Sequence, residues 1–303
     1  LGDVYKRQVQ DMFRFIAFVS QRPWVAASSD MLRMVSFVVT GFWLEQSSAV
    51  SPELVMLCWG ISTVPSLLFS LFRMSLIKGW SRLSWQWISS TKPVWPKLLF
   101  EWIVSIGVGQ GIALLALSIT SGREASAFRV ASSAMSPVIL LMSVMSLGVF
   151  GVQRRINLAD PRTLPQAAVT SASPSVLAIA YTFTLIVMPL WVGNNIFGVP
   201  WATAHDFLMP IGLQYLCSAL SIGPMIFLRL SFQPSLVLRT RLIASAPIIL
   251  CTSFGLSFFG LKGLLWGNAL GAAVSLAIWW STLLNARSRA LQSLRESLDS
   301  QPQ

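Results

Sequence analysis

Charged side chains are scarce. Only 11 % of the 303 residues are Asp, Glu, Lys or Arg, against about 25 % in a soluble domain. The chain cannot wrap itself in water-exposed surface of the ordinary kind. Acid is the rarer sign, with 11 Asp and Glu against 22 Lys and Arg. There is one histidine, His205, which excludes a metal site built on several histidines. Cys58, Cys217 and Cys251 each lie inside an apolar run without metal-type spacing, and they read as small apolar filler. A Walker A sequence is missing, which excludes an ATP-driven pump within this chain. Nucleophile elbows and zinc-protease pairs are also missing. No polar segment is long enough for a catalytic domain, so the chain is not expected to be an enzyme.

What is abundant is apolar. Hydrophobic residues make up 54 % of the chain, and mean hydropathy is +0.66. Lipid must be the solvent for much of it. A helix rising 1.5 Å per residue needs about 20 residues to cross a hydrocarbon core of ~30 Å. Eight runs meet or approach that length: 31–44, 52–72, 98–120, 125–152, 175–192, 207–230, 242–259 and 261–284. The first reaches span length only if Ala26 to Asp30 joins it. The fold class is therefore all-α, a polytopic transmembrane helix bundle of about eight helices.

The formal charge of +11 is distributed as membrane topology distributes it. With alternating connections, 19 of the 22 basic residues fall on one side, and only Arg123, Arg129 and Lys262 on the other. One missed helix would scramble that split. Both ends are thus expected in the cytoplasm, with the chain multi-pass in the cell inner (cytoplasmic) membrane. A nucleic-acid module would instead gather Lys and Arg on one folded face, so no nucleic-acid partner is expected.

The chain divides on paper as follows. Residues 1–8 (LGDVYKRQ) are polar, lead into no signal peptide, and are set aside as a non-native leader. Residues 9–77 hold the first two helices. Residues 78–97 carry Trp80, Trp85, Trp87 and Trp95; Trp80, Leu83 and Trp87 share a helical face, which predicts an amphipathic interfacial linker. Residues 98–285 form a six-helix bundle, and 286–303 a cytoplasmic tail. Gly223-Pro224 and Pro247 lie inside spans, where kinks are tolerated. Gly263, Gly267 and Gly271, and Gly107 with Gly111, recur every four residues and predict close helix packing.

Polar groups at membrane depth carry the functional signal, because a charge at the bilayer centre costs about 2.5–3.5 kcal/mol on insertion scales. Glu101 and Gln110 lie in the third span, Arg129 one turn into the fourth with Arg123 before it, and Asn268 in the last. Each has a plain alternative. Arg123 and Arg33 are near enough to helix ends to snorkel, Glu124 suits a helix N-terminus, and Glu101 can pair with Lys97 four residues earlier.

Three stretches resemble the polysaccharide-exporting flippases of the MOP superfamily, the O-antigen and teichoic-acid translocase type. They are QDMFRFIAFVSQRPWVAASSD (10–30), GREASAFRVASSAMSP (122–137) and FGVPWATAHDFLMPIG (197–212). The resemblance implies that the spans correspond to helices 5–12 of a twelve-helix, two-bundle transporter whose helices 1–4 are missing here. It implies flipping of a polyprenyl-diphosphate-linked oligosaccharide across the membrane for cell-surface polysaccharide export. The expected partners are that lipid-linked oligosaccharide, membrane lipids and polysaccharide assembly proteins. No cofactor is implied beyond coupling to a proton or sodium gradient. Arg129 and Arg123 would face the diphosphate, since a guanidinium fork binds phosphate oxygens in pairs. Glu101 would carry the coupling ion, and Gln110 and Asn268 would complete the substrate-binding set. Three other readings compete. A multidrug or small-molecule exporter of the same superfamily would favour an acidic, aromatic cavity. A membrane polymerase or ligase would need a large outer loop with paired Arg or His. A non-catalytic component of polysaccharide assembly would be indifferent to loss of Arg129 or Glu101.

Overall fold

The computed structural model describes residues 17, 22–46, 51–74, 95–143, 156–231 and 233–299. The expected leader, most of the Trp-rich linker, the end of the fourth span and the last residues of the tail lie outside them. Eleven helices are described: α1 (Pro23–Gln46), α2 (Pro52–Ile61), α3 (Thr63–Met74), α4 (Trp95–Ile119), α5 (Gly122–Ala134), α6 (Ser136–Ser143), α7 (Thr163–Val187), α8 (Leu190–Phe197), α9 (Trp201–Leu220), α10 (Ile222–Leu230) and α11 (Pro234–Asp299). No strand occurs among the described residues. Five helical stretches are long and apolar enough to cross a membrane, or six with the bent pair α5 and α6 as one span. Their outsides are apolar: Met31, Trp43, Phe72, Leu140, Leu250 and Phe259 are each more than two-thirds exposed. Such a coat suits lipid rather than water. The chain is a multi-pass membrane protein.

Several helices are longer than hydropathy alone predicts. α1 does take in Ala26 to Asp30. α7 begins twelve residues before Ser175, because TLPQAAVTSAS is small and mildly polar yet helical. A turn over Asn157 to Arg162 starts it, with Thr163 Oγ1 donating to the Asn157 carbonyl at 2.9 Å and Arg162 N–H to Asp160 Oδ1 at 2.8 Å. α11 continues through the expected tail to Asp299, and Trp95 to Lys97 belong to α4 rather than to the linker.

Other spans are broken where proline removes a donor. Pro65 follows the break between α2 and α3, whose apolar stretch Leu57–Arg73 is the short one. α5 and α6 meet at Met135 with a 41° bend, just before Pro137. Tyr181 Oη–H donates to the Ala134 carbonyl there at 2.9 Å. Pro224 cannot bond the Leu220 carbonyl, and α9 gives way to α10. Ser171 Oγ and Trp280 Nε1 both donate to that carbonyl, at 2.8 and 3.1 Å, while Gly223 N–H donates to Ser171 Oγ at 3.0 Å. The break is thereby satisfied inside the bundle.

The chain forms two compact units, one holding α1–α3 and the other α4–α11. In the first, Ser70 Oγ donates to Ser29 Oγ at 2.9 Å and Ser29 Oγ to the Ser66 carbonyl at 3.2 Å, joining α1 to α3. Arg33 rests over Trp59, its guanidinium carbon 4.9 Å from the ring centre.

In the second unit α11 folds back on itself at Gly260, whose φ of 60° is the left-handed conformation that glycine adopts freely. Its two arms pack backbone to backbone. A Cβ on Gly263 would lie 2.0 Å from the Gly255 carbonyl oxygen, and one on Gly267 2.1 Å from that of Cys251. The predicted close packing is therefore met at Gly263, Gly267 and Gly271, each against the first arm. Gly107 and Gly111 correct the expectation: nothing lies within 4 Å of a Cβ at either, so their small size is not used in packing within the described structure.

Contacts fix which helix ends share a side. Lys97 Nζ donates to Ser235 Oγ at 2.7 Å, so α4 and α11 start together. Lys262 pairs with Asp206 at 3.3 Å, which puts the α11 turn beside the start of α9. His205 Nε2 lies 2.8 Å from the Ile186 carbonyl, near the end of α7. The spans of this unit alternate, and eight of its eleven described Lys and Arg residues lie at the α4-start end.

Gly267→Leu should unfold the α11 hairpin, at a cost above the roughly 1–3 kcal/mol of ordinary overpacking, because backbone must move. Gly111→Leu should leave stability nearly unchanged. Thermal unfolding in detergent distinguishes the two.

Candidate functional site

A cleft runs along the interior of the second unit, and residues three and four apart on each helix line it. Its wider part, about 550 Å³, is bordered by Gln110 on α4, Arg129, Ser132 and Ser133 on α5, Gln214 on α9 and Asn268 on the second arm of α11. Its narrower part, about 310 Å³, is bordered by Ser105 on α4, Ser218 on α9, Arg241 on the first arm of α11, and Ser275 and Trp279 on the second. Tyr215 borders both. Along every shared helix the residues of one part directly follow those of the other, so the two are consecutive. From Leu265 to Trp279 the second arm rises roughly 21 Å, about two-thirds of a ~30 Å hydrocarbon core.

Three of the expected site residues, Arg129, Gln110 and Asn268, thus meet on one cavity. Arg129 is exposed to it and Asn268 is buried beside it. An intramembrane cation facing a polar hollow escapes the cost of facing lipid. Arg123 does not join them. It lies exposed in the first turn of α5 and borders neither part of the cleft. Glu124 follows it, its N–H donating to the Ser121 cap at 3.5 Å.

Glu101 goes elsewhere. It is 1 % exposed, and its carboxylate accepts from Arg229 Nη2 at 2.5 Å and Arg241 Nε at 2.8 Å. Lys97, its neighbour by spacing, bonds Ser235 instead. Each carboxylate oxygen thus accepts from one guanidinium. The arrangement is a clamp holding α10 and α11 to α4. Arg229 and Arg241 read as loop charges because each sits close to a polar connection. A buried carboxylate requires cationic partners, but sequence spacing pointed only to Lys97. Gln214, Tyr215 and the cleft serines were missed because single polar residues in an apolar run carry no motif.

The chain matches no known protein family, no curated protein and no solved structure. Two cations, Arg129 and Arg241, border the cleft with three carboxamides and several hydroxyls, and no acidic side chain lines either part among the described residues.

Glu101→Gln should destabilise the unit by about 3–5 kcal/mol, since it strands two partly buried guanidinium groups. Adding Arg241→Met should recover part of that loss. A double-mutant cycle read by thermal unfolding in detergent measures the coupling.

Proposed function

We propose that the chain belongs to a membrane transporter that flips a polyprenyl-diphosphate-linked oligosaccharide for cell-surface polysaccharide export. The observation that carries this reading is the wider part of the cleft, where Arg129 stands with Gln110, Gln214 and Asn268 in one hollow at membrane depth. Arg suits a diphosphate, because its donors bind phosphate oxygens in pairs. Carboxamides both donate and accept, which suits sugar hydroxyls. The apolar outer coat suits a polyprenyl tail left in the bilayer. The same chemistry disfavours a multidrug exporter, whose cationic substrates would call for acid in the cleft.

The basic end of the second unit is assigned to the cytoplasm by the positive-inside rule, in the cell inner membrane. Cysteine introduced at Lys262 should then react only with reagent added outside cells, and cysteine at Arg239 only with reagent added to inverted vesicles. The opposite pattern reverses the orientation.

The substrate is tested by binding in nanodiscs. Arg129→Ala should weaken binding of a polyprenyl-diphosphate-linked disaccharide about tenfold or more, the worth of a charge-assisted hydrogen bond. Unchanged affinity in a folded variant removes Arg129 from the site.

A further inference from the structure

The narrower part of the cleft carries its own charge argument. Glu101 contributes one negative charge and Arg229 with Arg241 two positive ones. No other described acid pairs with either arginine, so one positive charge is left over beside the cavity. Arg241 borders the cavity. Of its five N–H donors, Nε–H bonds Glu101 and one on Nη2 meets only the Met225 thioether at 2.9 Å, a weak acceptor. The other three find no acceptor among the described residues. Trp279 backs the guanidinium, its ring centre 5.0 Å from the guanidinium carbon, and is itself 1 % exposed.

Hydroxyls join it from two other directions. Ser275, on the second arm of α11, is 7 % exposed and borders the cavity without a hydrogen bond among the described residues. Ser105 on α4 does the same. Ser218 and Ser221 differ, because their hydroxyls donate to the carbonyls of Gln214 and Cys217. Arg241, Ser275 and Ser105 therefore offer free donors from three separate helical segments around a space of about 310 Å³.

We propose that the narrower end of the cleft is a phosphate-binding site, formed by Arg241, Ser105 and Ser275 rather than by Arg129. Donors spread over three segments suit a tetrahedral oxyanion better than a flat carboxylate. The anion offsets the surplus charge of the Glu101 clamp. The site does not depend on the chain being a flippase.

The test uses the chain in phosphatidylcholine nanodiscs, with radiolabelled pyrophosphate and farnesyl diphosphate as probes. Saturable binding of either is expected. Equal affinity for both marks a site for the free inorganic anion; much tighter farnesyl diphosphate binding marks a lipid headgroup site. Arg241→Gln should weaken binding about tenfold or more. Ser105→Ala with Ser275→Ala, which leaves the clamp untouched and so guards against misfolding, should weaken it several-fold. Absence of saturable binding, or full binding by both variants, overturns the proposal. Loss of binding in Arg129→Ala alone also overturns it, while leaving the proposed oligosaccharide site standing.

Discussion

Three helical segments meet at one carboxylate. Glu101 on α4 accepts from Arg229 at the end of α10 and from Arg241 near the start of α11. Two guanidinium groups on a buried acid are tolerated only while all three charges stay in register. The contact therefore fixes the rotation of α4 so that Ser105 and, farther along, Gln110 face the cleft. It fixes the first arm of α11 so that Arg241 borders the same space. The glycine seam of α11 then carries the second arm along, and with it Asn268, Ser275 and Trp279. Without the clamp, the polar face of the unit would have no reason to point inward.

The proline breaks serve the same end. Ser171 and Trp280 close over the carbonyl that Pro224 leaves free, and Tyr181 binds the Ala134 carbonyl beside the α5–α6 bend. At these two breaks a side chain from a neighbouring helix takes up a backbone carbonyl. The bends open space between helices without exposing backbone to lipid.

Much of the fold was legible in the sequence. Apolar run length located the helices, and in the second unit the basic residues agree with the alternation of its spans. Helix starts were less legible, as at α7, where small polar residues are helical yet not hydropathic. The hairpin glycines were readable from their four-residue spacing, but the same spacing at Gly107 and Gly111 misled, since spacing does not say what lies opposite. Arg129, Gln110 and Asn268 were legible as polar groups in apolar runs. The Glu101 partners were not, because the bonds span 128 and 140 residues and no local pattern encodes them.

A polar cleft runs through the second unit inside an apolar shell, and water must reach it if it carries a polar substrate. Cysteine accessibility along α9 measures it most directly, in a background where Cys58, Cys217 and Cys251 are alanine. Only a hydrated thiol ionises and reacts with a membrane-impermeant maleimide. Labelling of Gln214→Cys and Ser218→Cys in membranes is expected, and none of Met209→Cys or Leu213→Cys, whose side chains face outward. Equal silence at all four, or labelling of the outward pair alone, would contradict it.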